Sequence, residues 1–377
     1  MVGLYLHIPF CRRKCTYCDF YSVEACTTEL QSYPDLLIKH LEWSAAERLW
    51  QRPIDTIYFG GGTPSLLSPQ SIDAILLAIN RHFTLANDIE ISLEANPGTV
   101  TIDSLTGYRS AGINRLSLGL QTCNDQQLQG LGRLHSRRQG LQSFAWARQT
   151  GFDNISLDLM FALPGQTLND LEEDLQIYLD LGPEHFSCYG LTAEPGTTLH
   201  ARVSSGALTL PDEDQYADSF MLLHNRLHAA GYTHYEIANY SRDGFECRHN
   251  IGYWIRSPYL GIGAGAHSFL DKGWGSRWQV ADNLQAYRQA LQTGQEPMSC
   301  LEIFDQEAAL RETIYLALRT RRGIDDCDLQ QQFGCTLQER FPKAVEACGE
   351  WLEKDAGHWS LTPQGWLLYD RLIQAFL

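Results

Sequence analysis

Six short runs rich in β-branched and apolar residues, at 4–8, 56–59, 89–94, 115–120, 155–160 and 186–191, recur along the first half of the chain. They alternate with stretches of helical apolar spacing such as 36–49, 72–83, 140–149 and 171–181. Such alternation implies parallel strands joined by crossover helices, since a parallel pair cannot be closed by a tight turn. Six units fall short of the eight that close a full (β/α) barrel, so the predicted fold class is α/β, an open or partial (β/α)6 barrel. Barrels of this kind place their chemistry at the carboxyl ends of the strands.

The first of these runs leads straight into HIPFCRRKCTYCDFYS, which carries Cys11, Cys15 and Cys18. An iron-sulfur cube takes one thiolate per iron, so a CxxxCxxC loop with no fourth thiol nearby leaves one iron open to an exchangeable small molecule. Other uses of the thiols fit less well. The 11 cysteines are odd in number, and no charged-then-apolar leader precedes them, which argues against a bridged secreted protein. Tetrahedral zinc wants a fourth ligand, and the paired CxxC knuckles that supply it are absent. Asp19 follows Cys18 where covalent heme attachment requires His. Three thiols kept only for packing would not be expected beside Arg12, Arg13 and Lys14.

Composition narrows the remaining classes. With 377 residues, 44% hydrophobic and 20% charged, the chain can bury a full core. It contains no apolar run approaching the ~18 residues of a membrane span. A formal charge of −16 opposes a broad nucleic-acid footprint. A soluble, cytoplasmic protein is expected.

The strand ends then draw attention. Gly60-Gly61-Gly62-Thr63-Pro64 follows the second strand, Glu94-Ala95-Asn96-Pro97-Gly98 the third, Gln121 the fourth, and Asp158 lies within the fifth. Glycine lets a backbone approach a ligand closely, and Glu, Gln and Asp accept hydrogen bonds from amino and ribose hydroxyl groups. GGGTP alone could be a mere turn. Its coincidence with three other polar strand ends favours a shared site.

CxxxCxxC with an aromatic before the last Cys, together with LYLHIPFC, FGGGTPS, EANPG, LSLGLQ and DLMFALPGQT, resembles the radical S-adenosyl-L-methionine (SAM) superfamily, and specifically its HemN-like branch. That branch holds oxygen-independent coproporphyrinogen III dehydrogenases and heme chaperones. The resemblance implies that Cys11, Cys15 and Cys18 hold a 4Fe-4S cluster whose open iron takes the amino and carboxylate groups of SAM. It further implies SAM contacts at Tyr5, Tyr17, Gly61, Gly62, Thr63, Glu94, Gln121, Arg133 and Asp158, with Arg133 placed by its spacing from Glu94.

Two departures choose between the branch's activities. The dehydrogenase pattern continues as CxxxCxxCxC and has an N-terminal extension, whereas here Cys18 is followed by Asp19 and Phe20 and the first Cys is already at position 11. Both point to the chaperones. The segment CRHNIGYW, residues 247–254, is similar to an HNxxYW motif that the chaperones associate with heme. By chemistry, His249 could serve as an axial ligand, Tyr253 and Trp254 could face a porphyrin, and Arg248 could meet a propionate. Cys247 and His267 remain alternative ligands, and a satisfied structural histidine is the plain alternative for His249.

Residues 211–304 read as an extension carrying that motif, with Pro211-Asp212-Glu213-Asp214 opening a helix that runs to Ala229, Pro211 at a first-turn position, and a strand-like THYEIANYS after it. Residues 305–377 read as a winged-helix-like α+β region with two or three helices and a hairpin at HWSLT. This last region holds eight Lys and Arg against twelve Asp and Glu, so packing or partner contact is expected of it and DNA binding is not. Arg319, Arg321 and Arg322 form a basic cluster that is either a solvated helix end or a ligand contact. The expected domains are 1–210, the barrel with cluster and SAM; 211–304; and 305–377. The expected function is heme binding and delivery to an acceptor hemoprotein, membrane-associated respiratory proteins among the candidates, with a homodimer left open. The alternative is oxidative decarboxylation of coproporphyrinogen III.

Overall fold

A computed structural model describes residues 1–46, 50 and 52–377. The six expected strands form as β1 (Gly3–Ile8), β2 (Ile54–Gly61), β3 (Leu85–Ala95), β4 (Arg115–Gln121), β5 (Ile155–Phe161) and β6 (His185–Gly190), each parallel to the next. Helices α1 (Thr27–Ala46), α2 (Pro69–His82), α3 (Ile102–Ala111), α4 (Asp125–Leu131), α5 (Arg137–Gln149) and α6 (Leu168–Leu181) make the crossovers. The helix end expected at residue 49 lies outside the described residues. Thr101, Ser136 and Thr167 begin α3, α5 and α6 with reciprocal capping boxes, and Gly112, Gly132 and Gly182 end α3, α4 and α6 in the left-handed conformation. The sequence pattern missed α3, because only Leu105 and Tyr108 of its ten residues are buried, too few to show a helical stripe.

The next segment adds to both edges of the same sheet. On one side, β7 (Thr233–Glu236) and β8 (Asn239–Ser241) pair antiparallel, with β8 against β6. THYEIANYS is therefore two short strands separated by a turn, not one. On the other side, β9 (Tyr259–Ile262) lies parallel to β1 and leads antiparallel through β10 (His267–Leu270), β11 (Ser276–Val280) and β12 (Met298–Ile303). The twelve strands form one mixed sheet. Helices α7 (Thr198–Ser204), α8 (Glu213–Ala229) and α9 (Arg248–Trp254) complete this part. Asp212 is the N-cap of α8, accepting from Gln215 N at 2.8 Å, so Pro211 lies before the helix and not in its first turn. From Gln306 onward, helices alternate with a three-stranded antiparallel sheet of residues Ile324–Asp325, His358–Leu361 and Leu352–Asp355, and this region has more helical segments than expected. Among the described residues, no helix is long and apolar enough to cross a membrane.

Side-chain alternation divides the parallel strands into two faces. Ile57, Phe59, Leu93, Leu116, Leu118, Ile155, Leu157 and Phe186 are buried under the helices. The intervening positions, including Tyr5, Tyr58, Glu94, Arg115, Ser117, Ser156, Asp158, His185 and Tyr189, line a common cavity of about 600 Å³. A filled (β/α)8 barrel packs branched apolar residues inside. Polar residues here leave room for a ligand. Leu157→Ala, in the middle of the sheet and 0% exposed, is expected to cost about 2–5 kcal/mol. Leu301→Ala on the edge strand, 47% exposed, should cost less than about 0.5 kcal/mol. Urea unfolding midpoints test the contrast, and equal losses would contradict the assigned faces.

Candidate functional site: a cysteine loop over a polar barrel

Cys11, Cys15 and Cys18 all line the mouth of the cavity. Main-chain bonds hold their loop over the sheet: Ala25 N donates to Cys11 O at 2.9 Å, Thr16 N to Leu131 O at 3.1 Å, and Leu199 N to Thr16 O at 2.7 Å. Tyr17 packs into an apolar cluster with Leu131, Met160, Leu191 and Leu199. Thr63 Oγ1 donates to Cys11 Sγ at 3.6 Å and Arg133 Nη1 to Cys15 Sγ at 3.5 Å. Asn96 joins these two donors, giving its amide N–H to Thr63 Oγ1 at 2.9 Å and accepting from Arg133 Nη2 at 2.8 Å. Arg133 Nη2 also reaches Gly119 O at 2.6 Å, while its Nε is buried without a partner among the described residues.

The glycine loop after β2 wraps around the same mouth. Gly61 has φ 108°, which only glycine adopts without strain, and its N–H reaches Glu94 Oε2 at 3.2 Å. A Cβ on Gly62 would stand 2.7 Å from Phe10 O. Glu94 Oε1 accepts from Tyr58 OH at 2.8 Å, and burial pushes this carboxyl up to about 7 against the pull of that bond. Asp158 accepts from Ser117 OH at 3.1 Å and is likewise pushed by burial to about 6. Gln121 ends β4 with φ 71°, a sparsely populated conformation for a non-glycine residue, and its Oε1 accepts from Tyr189 OH at 2.7 Å. Tyr5 OH bonds His7 Nδ1 at 3.0 Å. All nine SAM contacts implied by resemblance thus face one cavity with the three thiols.

The residues suit a cube more than a lone ion. Among the described residues, no three His, Cys, Asp or Glu side chains converge on one point. A cube takes one thiolate per iron, so its ligands need not converge. Burial raises the pKa of the Cys11 thiol, and the hydroxyl of Thr63 opposes that rise.

The HNxxYW segment contributes His249, Asn250 and Tyr253 to the cavity lining. It forms α9, which closes the far end of the barrel, with Glu90 accepting from Arg248 N at 3.1 Å and His249 N at 3.2 Å. His249 is 3% exposed, and both ring nitrogens are engaged: Nδ1 with Thr56 Oγ1 at 2.8 Å and Nε2 with Tyr253 OH at 2.9 Å. Burial and the nearby Arg115 lower its pKa to about 3. Both nitrogens of His249 are thus hydrogen-bonded in this structure, as the structural-histidine alternative expects, while its ring also lines the cavity. Arg248 pairs with Asp88 at 3.2 Å, and Trp254 is covered by Arg319 at 4.8 Å, so neither faces an open porphyrin slot. Cys247 is fully buried, and burial pushes its thiol up to about 12. His267 is exposed and lies outside the residues lining the cavity.

The sequence reading also missed Thr56, Tyr58, Arg115, Ser117 and Tyr189 as site residues, and gave Asn96 no role. A strict alternation of polar with apolar residues in strands expected to be covered on both faces was the signal available for most of them.

Because burial raises Glu94, the folded chain holds that proton more tightly than the unfolded chain does. Stability therefore falls as pH rises from the ordinary carboxylate range through about 7, and is constant above it. Glu94→Gln removes this contribution. Unfolding measured between about pH 4 and about pH 8 should show wild type losing stability relative to Glu94→Gln up to neutrality, then a level gap. A gap independent of pH would contradict the environment assigned to this carboxyl.

Comparisons with known proteins agree with this arrangement. The radical SAM superfamily pattern matches residues 5–177 and the HemN C-terminal domain pattern residues 304–368. The fold matches the solved coproporphyrinogen III oxidase HemN from Escherichia coli with a TM-score of 0.85 at 22% identity, over 100% of this chain and 89% of that one. The heme chaperone HemW of Bacillus subtilis is 35% identical over 100% of this chain and 99% of its own length. That of Mycobacterium tuberculosis is 36% identical over 100% and 94%. With similarity of this extent running end to end, the chain belongs to the HemW family within the HemN-like branch of the radical SAM superfamily.

Proposed function

We propose that this protein is a cytoplasmic heme chaperone: it binds heme and passes it to an acceptor hemoprotein, on a scaffold that holds a 4Fe-4S cluster through Cys11, Cys15 and Cys18 and SAM in the barrel cavity. The observation that carries this reading is the end-to-end similarity to curated heme chaperones, 35% identity over the full chain in one of them. The three-cysteine loop that continues as Cys18-Asp19-Phe20 supports it.

The roles follow from the site's geometry. Thr63 and Arg133 donate to two loop sulfurs and hold them in place at the cavity mouth. When bound, the cluster supplies one exchangeable iron and a one-electron centre. Glu94 and Asp158 give SAM carboxylate acceptors suited to its amino and ribose hydroxyl groups, and Gln121, its oxygen occupied by Tyr189, keeps its amide N–H groups free to donate. Gly61 and Gly62 let the loop that borders the ligand pack closely on the His7 ring and Phe10 O. Heme is held at a place other than His249 in its present bonded state. The acceptor is a heme-requiring protein, and residues 305–377, acidic in balance, are the region proposed to contact it.

Anaerobically reconstituted protein, assayed separately for heme binding and for coproporphyrinogen III consumption, tests this reading. The expected outcome is a bound heme spectrum, transfer of that heme to an apo-hemoprotein, and coproporphyrinogen III unchanged in the presence of reductant and SAM. Sustained formation of protoporphyrinogen IX would establish the dehydrogenase instead. SAM cleavage without porphyrin turnover is compatible with the chaperone.

A further inference from the structure

The imidazole of His249 is wedged between three walls. A Cβ placed on Gly3 would meet its Cε1 at 3.1 Å, so β1 closes one side. Thr56 and Tyr253 hold its two nitrogens. The remaining face stacks on Tyr58, with ring centroids 5.0 Å apart and planes inclined by 23°. Tyr58 in turn gives its hydroxyl hydrogen to Glu94 Oε1 at 2.8 Å. A path of direct contacts therefore runs from α9 to the Glu94 carboxylate along the wall of the cavity that His249, Tyr58 and Glu94 all line.

From this geometry we infer that His249 is a positioning residue for the SAM site: α9, anchored on Glu90, sets the His249 ring, the ring sets Tyr58, and Tyr58 aims Glu94. Tyr5 reinforces the path, lying 6.2 Å from Tyr58 and 6.3 Å from His249, with both pairs stacked. A hydrogen bond to a carboxylate is about twice as strong as one between neutral groups, so its alignment matters to whatever Glu94 holds. His249 of the HNxxYW motif then serves the SAM end of the barrel. This inference rests on the proposed reading of Glu94 as a SAM contact.

The test uses the full chain, anaerobically reconstituted, with SAM affinity measured by titration calorimetry and heme binding by absorbance in the same preparations. Tyr58→Phe removes one oxygen and is expected to keep the fold, whereas His249→Ala opens a void and is paired with His249→Gln as the conservative variant. Tyr58→Phe and His249→Ala should each weaken SAM binding about tenfold. The double variant should be no weaker than either single one, because both act through the same bond. His249→Gln should recover part of the affinity, and the heme spectrum and stoichiometry should match wild type throughout. Additive losses, unchanged SAM affinity in both single variants, or loss of the heme spectrum with SAM affinity retained would each overturn the inference. Glu94→Gln separates it from the reading beneath it: if that variant binds SAM as wild type does, the assignment of Glu94 fails; if it weakens SAM while Tyr58→Phe and His249→Ala do not, only the positioning path fails.

Discussion

The guanidinium of Arg133 ties the cysteine loop to the barrel. One planar group with fixed donor directions reaches Cys15 Sγ, Asn96 Oδ1 and Gly119 O, so the loop, the turn after β3 and strand β4 are held in register by a single side chain. Asn96 continues the connection to Thr63, and Thr63 to Cys11. The arc holds the thiols themselves, while Arg12, Arg13 and Thr16 tie the rest of the loop to Gly98 O, Gly132 O and Leu131 O. Lysine could not replace Arg133, because its ammonium lacks the flat fork that serves three acceptors at once.

The polar interior follows from the same demand. A barrel packed with Val, Ile and Leu is more stable but has no room for a ligand. Here every parallel strand offers a polar or small residue at alternate positions, and the apolar alternates pack against the helices. Removed from water, Glu94 and Asp158 bind protons more tightly than exposed carboxyls, and Arg115 opposes that tendency in both. Arg115 itself is 2% exposed, and among the described residues its Nε has no partner and it forms no direct ion pair with either acid, so it provides positive charge in the barrel at a distance.

Local features were legible in the sequence. The β-branched runs showed the strands, the Cys spacing showed a loop that presents three thiols, and Gly61 and Gly62 showed a close backbone approach, because each depends on residues within one turn or one strand. What long-range contact decides was not legible. One nitrogen of His249 is taken by Tyr253 within the HNxxYW string, but the other by Thr56, 193 residues earlier, which nothing near the string reveals. The same holds for Arg248, whose carboxylate partner Asp88 lies far upstream. Helix α3 escaped because its buried face is only two residues wide, and the antiparallel additions to the sheet were hidden because their strands are three to six residues long.

Whether the three loop thiols hold a cube with one iron open to SAM is tested most directly by iron and sulfide analysis of the reconstituted chain, with the absorption spectrum recorded before and after SAM is added. Wild type should contain about four irons and four sulfides, and SAM should change its spectrum. Replacing Cys11, Cys15 or Cys18 by Ser should abolish the cluster, and replacing the exposed Cys26 or the buried Cys123 should leave it intact. Equal loss of iron from the two control positions, or a full cluster whose spectrum ignores SAM, would contradict the account.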